Sequence, residues 1–168
     1  PVTLASGEVV DYGLVGDIDG IDGTVITRLL DSGFLPVVSP LSCDNSGQLL
    51  NINADTVAAA IGGALVAEKL ILCTGAPGIL ERVDDPQSLI SYTDLAGLHR
   101  LREKGAITDG MLPKSSAIEA AIRGGVRRVH VISYAETDSL LAEIFTNEGK
   151  GTLVVADTRA LTAAEQGQ

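Results

Sequence analysis

The chain has 168 residues, of which 45% are hydrophobic, so it can bury a sizeable core in one domain or slightly more and is not disordered as a whole. It carries 12 Lys and Arg against 22 Asp and Glu, which gives a net charge of −10 and an isoelectric point near 4.5. This acidity argues against a general nucleic-acid-binding surface. Aromatic residues at 3%, with no Trp, also argue against a stacking platform for single-stranded nucleic acid.

The cysteine content and the hydropathy indicate a cytoplasmic protein with no membrane segment. Two cysteines, Cys43 and Cys73, together with two histidines form neither a disulfide framework nor a metal-ligand pattern, so no metal site is predicted. The longest apolar run, Ala58–Ala67, is much shorter than the roughly 20 residues that span a bilayer, and no signal segment opens the chain. Because the first residue is Pro1 rather than Met, we expect a processed or truncated piece of a longer protein.

The first fifty residues predict two β-hairpins, a glycine-rich loop, one helix and one short strand. The predictions depend on a turn at Gly7, on Thr24 and Gly33 as the two caps of the helix, and on the turn tetrapeptide Asp44–Gly47. In chain order the elements are a hairpin of Val2–Ala5 with Glu8–Val10, a loop over Gly13–Gly23, a helix from Thr24 to Gly33, a strand over Leu35–Ser39, and a hairpin of Leu41–Cys43 with Gln48–Leu50.

Helices and strands alternate through the rest of the chain. The predicted elements are a helix over Ala54–Ala67, a strand over Lys69–Thr74, a helix over Asp94–Lys104, a helix with Pro113 in its first turn that ends at Gly124–Gly125, a strand over Val126–Ser133, a helix from Thr137 or Asp138 to Phe145, a strand over Thr152–Val155, and a tail over Ala156–Gln168. This order predicts an α/β fold with a mostly parallel open sheet, helices on both faces, and the hairpins added to it. Because ligands of such sheets bind at the carboxyl ends of the strands, we expect a site near the loops Ser39–Cys43, Thr74–Gly78 and Ser133–Ala135.

The densest polar cluster is Asn51-Ile52-Asn53-Ala54-Asp55, between the second hairpin and a helix. In an extended segment Asn51, Asn53 and Asp55 alternate onto one face. One interpretation is a helix cap, in which Asn53 or Asp55 accepts hydrogen bonds from free amides of the first turn. Three aligned groups are more than one cap needs, so a binding site is the other interpretation.

A second cluster, Lys104–Lys114, combines glycines with a helix start that carries Lys114 in its first turn. Backbone amides and the helix dipole favour an anion there, and the lysine adds a positive charge, so a phosphate site is one interpretation. A solvated surface lysine is the other. The Walker spacing is absent, and no G-x-G-x-x-G follows a strand.

Two glycine-containing turns and the two histidines give weaker signals. The turn Thr74–Gly78 is either a plain turn or a place where the backbone can approach a nucleotide. The turn Asn147–Thr152 is typical of a connector between a helix and a strand. No serine or cysteine constellation accompanies His99 or His130, so both are predicted to be structural.

Taken in order, five segments resemble the N-acetylglutamate kinases of the amino-acid kinase superfamily. They are Gly13–Asp17, Leu30–Pro40, Asn51–Thr56, Thr108–Lys114 and Glu148–Thr152. The resemblance runs from about Val9 to Val155. Its most specific part is the ordered pair of Asn-x-Asn-Ala-Asp and Gly-Met-x-x-Lys.

The resemblance implies a reaction and a set of catalytic roles. Members of the family phosphorylate the side-chain carboxylate of N-acetyl-L-glutamate with ATP and Mg²⁺, which gives an acyl phosphate on the route to arginine. The resemblance implies that Asn51 contacts the acetylated amino acid and that Asn53 supports the same loop. It also implies that Lys114 neutralises the transferring phosphoryl group and that Asp55 orients Lys114. Since the substrate carboxylate is itself the nucleophile, the chemistry needs positioning and charge rather than a general base.

The resemblance also implies a nucleotide site and an effector site. The nucleotide-binding candidates are Thr74, Gly75, Gly78, Asp109, Gly110 and Met111. Gly75 departs from the family pattern, which has an Asp in this turn. The candidates for a site that binds arginine as a feedback inhibitor are Glu148, Gly149, Gly151 and Thr152.

By the same resemblance, residues 1–50 are the end of an amino-acid-binding domain, residues 51–155 a nucleotide-binding domain, and residues 156–168 a tail. The family's amino-terminal half, with a second lysine, a glycine-rich loop and an arginine, has no counterpart here, so we expect the chain alone to be poorly active or inactive. The full-length protein is expected to form a homo-oligomer, either a dimer or a hexamer, in the cytoplasm. Neither nucleic acid nor a membrane is an expected partner.

Two alternatives stay open. One is a kinase for a related carboxylate, such as a carrier-linked aminoadipate or glutamate, although Leu14-Val15-Gly16 favours the acetylglutamate type. The other is a non-catalytic regulatory or effector-binding module of the same fold. Gly75 and the missing half favour that module, whereas the intact set of Asn51, Asp55 and Lys114 argues against it.

Overall fold

A computed structural model describes residues 2–3, 7–108, 110–146 and 149–160. Its elements alternate as the sequence predicts after residue 50. They are β1 (Val2–Thr3), β2 (Val9–Val10), α1 (Thr24–Asp31), β3 (Leu41–Cys43), β4 (Leu49–Asn51), α2 (Ala54–Ala64), β5 (Lys69–Thr74), β6 (Tyr92–Asp94), α3 (Leu95–Glu103), α4 (Leu112–Arg123), β7 (Arg128–Ser133), α5 (Ser139–Phe145) and β8 (Thr152–Val155), with short 3₁₀ turns at Pro86–Ser88 and Thr158–Ala160. In the described part of the chain, no helix has the length and apolar character that a bilayer crossing requires.

Strands β5, β7, β8 and β6 form one open sheet in that order. The pairs β5–β7 and β6–β8 are parallel, which confirms the predicted mostly parallel sheet, whereas β7 and β8 are antiparallel. The antiparallel pair follows from the short connection between them. Helix α5 has only seven residues, or about 10 Å, and β8 begins opposite Val131, close to the end at which β7 finishes.

Helices cover both faces of this sheet, as predicted. Val129 and Val131 of β7 join the main core cluster together with Ile118 of α4. His130, which lies between those two valines, contacts Glu143 of α5 instead. Because successive residues of a strand point to opposite faces, α4 and α5 lie on opposite sides of the sheet.

Helices α2 and α4 pack side by side and approach most closely at small residues near their carboxyl ends. A Cβ atom added to Gly63 would lie 3.4 Å from the Cα of Gly124, and one added to Gly124 would lie 3.3 Å from the Cα of Gly63. Glycine at both positions therefore lets the two backbones touch. The helices run parallel to each other, because their amino-terminal ends also meet, through Asp55 and Lys114.

Both predicted hairpins are present in the amino-terminal region. β1 pairs with β2 and β3 pairs with β4, each antiparallel, with Cys43 opposite Leu49 in the second hairpin. The side chain of Asp44 accepts hydrogen bonds from the backbone N–H groups of Ser46 and Gln48, which fixes the predicted turn. Among residues 7–51, none is buried.

Two predictions for this region are wrong. Leu35–Ser39 is not a strand, because no neighbouring strand of the described chain pairs with it, and Leu35 and Val37 are left 87% and 93% exposed. Thr24 does not cap α1: Gly23 occupies the cap position without a side-chain hydrogen bond, and the carboxylate of Asp22 accepts from the N–H of Thr24.

Several element boundaries also differ from the sequence prediction, and β7 begins at Arg128 rather than Val126. Helix α2 ends at Ala64 rather than Ala67, because Val66 takes a left-handed conformation with φ of 47° that closes the helix. Tyr92–Asp94 forms an edge strand beside β8, and α3 begins only after it, with the carboxylate of Asp94 accepting from the N–H of Gly97. The predicted tail past residue 160 lies outside the described residues.

Candidate active site

The amino-terminal end of α2 is fixed by Asn53. Its side-chain oxygen accepts hydrogen bonds from the N–H groups of Asp55 at 2.9 Å and Thr56 at 3.2 Å. This is the N-cap geometry that an asparagine provides before a helix. Because Asn53 takes the capping role, the carboxylate of Asp55 is free to point away from the backbone of its own helix.

That carboxylate pairs with Lys114 at the start of α4. The Nζ of Lys114 donates to Oδ1 of Asp55 across 2.8 Å, and the two side chains are only 11% and 25% exposed. Helix α4 has no acidic residue in its first turn and no side-chain cap, so the positive end of its dipole is not offset by a charge of its own helix. The N–H of Leu112 donates to the carbonyl of Thr108, and Pro113 has no N–H. A lysine is unfavourable at such a place, and Asp55 both compensates its charge and fixes the direction of its ammonium group.

Asn51 lies beside the loop that the sequence links to substrate choice. Its N–H donates to the carbonyl of Leu14 at 2.8 Å, and its carbonyl accepts from the N–H of Gly16 at 3.0 Å. A side chain at Gly16 would collide with Leu50, so the glycine permits this approach. The segment Gly13–Asp17 and the exposed Asn51 thus form one surface directly before α2.

The turn Thr74–Gly78 is held in place by a residue from β8. The N–H of Ile79 donates to the hydroxyl of Thr152 at 2.8 Å, and a Cβ on Gly78 would lie 2.7 Å from that same oxygen. Thr152 is fully buried. Its hydroxyl therefore supports the candidate nucleotide turn from inside the fold, which the sequence did not predict.

The candidate effector turn is held by the carboxylate of Glu143, which is buried beside His130 on the α5 face of the sheet. Glu143 accepts from the N–H of Gly151 at 3.1 Å, and its other oxygen lies 2.7 Å from Nδ1 of His130. Burial acts to raise the pKa of Glu143, but the hydrogen bond and charge of His130 and the N–H groups of Gly151 and Lys150 outweigh it, so the pKa lies below its ordinary value. His130 is in a structural setting, as the sequence predicted.

Sequence reasoning missed Glu143, although a signal was present. An acidic residue stands inside the apolar run Leu140–Phe145, and such a residue needs a partner when it is buried.

Of the other candidates, Gly110 is exposed and Met111 is packed against the core. Asp109 and Glu148 lie outside the described residues.

A groove of about 610 Å³ runs between α2 and α4. Asn53 and Thr56 line it together with Pro113 at the start of α4, and small residues of both helices form its floor. Ile18 of the amino-terminal loop lies against it. The groove begins at the same end of the helices as the Lys114–Asp55 pair and reaches Gly63 and Gly124.

These features can be compared with known proteins. The model of the amino acid kinase family matches residues 1–133. The chain is 46% identical over 161 residues to the acetylglutamate kinase of Myxococcus xanthus, covering 96% of this chain and 52% of that protein. It is 47% identical over 146 residues to the acetylglutamate kinase of Archaeoglobus fulgidus, covering 87% and 50%. The chain spans about half the length of the curated relatives it matches.

Solved structures show the same fold. An N-acetylglutamate synthase from Neisseria gonorrhoeae, complexed with coenzyme A and L-arginine, matches with a TM-score of 0.81 and 29% identity, covering 94% of this chain and 35% of that one. A carbamate kinase from Giardia lamblia bound to AMP-PNP matches with a TM-score of 0.66 at 20% identity, over 82% of this chain and 45% of that one.

Proposed function

The chain belongs to the amino acid kinase family, and from this membership we propose that it is the nucleotide-binding part of a kinase that transfers the γ-phosphoryl group of ATP to the side-chain carboxylate of N-acetyl-L-glutamate. The product is an acyl phosphate, and the reaction serves arginine biosynthesis. The names of the relatives support this substrate, and the Lys114–Asp55 pair is the structural observation that carries the proposal.

Lys114 acts on the phosphates of the nucleotide. Phosphoryl transfer places negative charge on the equatorial oxygens of the transferring group, and an oriented ammonium group stabilises that charge without having to reorganise. Asp55 holds Lys114 in this orientation before the nucleotide arrives. The dipole of α4 adds partial positive charge at the same place.

The proposed substrate contact is Asn51, with Asn53 supporting the loop as the cap of α2. The substrate carboxylate attacks the phosphorus directly, so the chain needs to position it rather than to remove a proton. The loop Gly13–Asp17, which hydrogen-bonds to Asn51, would distinguish acetylglutamate from a carrier-linked aminoadipate or glutamate. That related kinase is the second candidate within the same chemistry.

The proposed nucleotide contacts come from two loops at the carboxyl edge of the sheet. They are Thr74, Gly75 and Gly78 after β5, and Asp109, Gly110 and Met111 before α4. Mg²⁺ would reach the site on the phosphates of ATP, since it is commonly bound by few protein ligands and several phosphate oxygens. Among the described residues, no three His, Cys, Asp or Glu side chains are grouped as metal ligands.

Feedback inhibition by arginine is a further part of the proposal. Its candidate residues are Glu148, Gly149, Gly151 and Thr152, of which Thr152 is buried. The structurally similar synthase was solved with L-arginine, which supports an arginine-responsive relative of this fold. We also propose a cytoplasmic homo-oligomer for the full-length protein.

A non-catalytic module of the same fold is the competing function. Gly75 in the candidate nucleotide turn favours this module, because a glycine has no side chain that could bind a nucleotide. The partly buried Lys114–Asp55 pair opposes it, since a module without a nucleotide has no need for a lysine at a helix start.

Calorimetric titration of MgATP separates the two functions. We expect the chain to bind MgATP and the Lys114→Ala variant to bind it about tenfold to a hundredfold more weakly, which is the effect of losing one charged hydrogen bond. Lys69→Ala is the matched control, because Lys69 begins β5 at the opposite edge of the sheet. Equal binding by all three proteins, or binding by none, would favour the non-catalytic module.

A further inference from the structure

Tyr134 lies at the carboxyl edge of the sheet, immediately after β7. Its N–H donates to the carbonyl of Thr74 at 2.9 Å, and Thr74 pairs in register with Ser133. β5 and β7 are parallel, so both strands end here. Helix α4 leads back into β7 and therefore starts at this same edge, with Lys114 in its first turn.

The phenol of Tyr134 lies over Gly75. A Cβ atom on Gly75 would be 3.0 Å from the tyrosine hydroxyl oxygen and 3.5 Å from Cζ, so the phenol fills the space that a side chain at position 75 would take. The side chain is nevertheless 73% exposed. Within the described part of the chain, its hydroxyl has no hydrogen-bond partner. An apolar ring and an unused polar group thus face solvent at the edge where ligands of such sheets bind.

We infer that Tyr134 is a nucleotide-contacting residue, whose ring packs on the purine nucleoside of ATP and whose hydroxyl bonds to it. This inference rests on the proposed function and extends it to a residue that no motif marks. A purine nucleotide has a planar end and a charged end. The carboxyl edge offers a flat aromatic ring at Tyr134 for the planar end, and the ammonium group of Lys114 at the positive end of the α4 dipole for the charged end.

Gly75 belongs to the same arrangement. With a hydrogen atom in place of a side chain, it leaves the phenol seated against the end of β5. A larger side chain would push the ring away and cover the edge itself. The loss of a side-chain ligand at position 75 is thereby offset by a contact from the neighbouring strand. On this basis Gly75 is part of a working site and is not evidence of a dismantled one.

Titrations of MgATP and MgADP into three variants test the inference. We expect Tyr134→Ala to weaken the binding of both nucleotides by the same factor, between about fivefold and a hundredfold, which is the range for aromatic contacts to bases. Lys114→Ala should instead weaken the binding of MgATP more than that of MgADP. Phe145→Ala is the matched control: Phe145 is 78% exposed but lies at the far end of α5, which runs back along β7 past His130.

Tyrosine fluorescence gives a second readout that does not depend on affinity. The chain has no Trp and three Tyr, so its emission comes from Tyr12, Tyr92 and Tyr134. We expect MgADP to change this emission in the unmodified chain, and Tyr134→Phe, which keeps the ring, to remove most of that change while retaining most of the affinity. Circular dichroism checks that each variant is folded.

The outcomes separate this inference from the function on which it rests. If Lys114→Ala weakens MgATP but Tyr134→Ala does not, Tyr134 is not a nucleotide contact and the kinase proposal stands. A fluorescence change that persists in Tyr134→Phe would also overturn the inference. If the unmodified chain binds neither nucleotide, both proposals are wrong.

Discussion

Residues 7–50 and residues 52–155 use their apolar side chains in opposite ways. Every buried hydrophobic residue of the described chain lies from Ile52 onward, in the sheet and in the helices that cover it. Before that point the apolar side chains of β2, α1, the second hairpin and the segment after α1 are exposed or at most half-buried. In α1 they lie mainly on one face, as in a helix that packs against another layer, yet no residue of this helix is buried.

The difference shows that local pattern and stability are separate properties. Turn residues such as Asp44 and Gly47 are sufficient to shape a hairpin, but a hairpin with no buried face contributes little to the free energy of unfolding. We therefore expect the free energy of unfolding to depend on residues 52–155 and to be nearly insensitive to the apolar residues before them.

The largest expected effect comes from truncating the core. Ile118 is fully buried between α4 and the sheet, so Ile118→Ala should lower the free energy of unfolding by about 2–5 kcal/mol. Leu35→Ala, in the exposed segment, should change it by less than about 0.5 kcal/mol. Urea unfolding followed by circular dichroism measures both. Similar losses for the two variants would contradict the comparison, because Leu35 would then carry packing energy.

Substitution of Gly151, compared with substitution of Gly20, should give a smaller loss of stability. A Cβ on Gly151 would run into the carbonyl oxygen of Val131, so Gly151→Ala should disturb the β7–β8 pair and cost about 1–3 kcal/mol. Gly20 has open space around its Cα and no positive φ, so Gly20→Ala should leave the stability unchanged or slightly raised. Thermal unfolding of the two variants is the measurement, and equal melting temperatures would refute the expectation.

The smallest expected effect is electrostatic and depends on pH. Glu143→Gln removes the charge that pairs with His130 and should cost about 1–2 kcal/mol at pH 7. Because the pKa of Glu143 is lowered in the folded chain, its stabilisation is present above the ordinary glutamate pKa and is lost as the pH falls through the folded value. The difference between the variant and the unmodified chain should therefore shrink below about pH 4.

Asp19→Asn is the control for this prediction, since Asp19 is an exposed carboxylate in the amino-terminal region. It should leave the free energy of unfolding at pH 7 unchanged. Urea titrations at several pH values provide the profile. A gap between Glu143→Gln and the unmodified chain that stays constant down to pH 3 would show that the Glu143 carboxylate does not titrate as described.

The sequence predicted best those elements whose signals are local. Lys69–Thr74 has the predicted bounds, and Asn53 caps α2 as its residue type suggested. Leu35–Ser39 has the composition of a strand, but a strand also needs a neighbour, and composition does not report one. Tyr92–Asp94 shows the reverse, because it became an edge strand through its pairing with β8.

The candidate site divides in the same way. The pairing of Asp55 with Lys114 was implied by resemblance to a family, since nothing in the spacing of two residues so far apart fixes a contact. The Glu143–His130 pair and the support of Ile79 by Thr152 depend on how strands and helices stack, which no single segment encodes. Tyr134 has a position at a strand end that the sequence does reveal, but its place over Gly75 requires the structure.

The close contact between Gly63 of α2 and Gly124 of α4 fixes the angle between the two helices. The two backbones meet at Gly63 and Gly124, whereas Asp55 and Lys114 lie about 12 Å away along α2 and about 15 Å away along α4. A methyl group added at this contact would tilt the helices and change the distance between Asp55 and Lys114. A substitution such as Gly124→Ala would then misdirect the ammonium group of Lys114. Its effect on phosphoryl transfer would be larger than its effect on the stability of the fold.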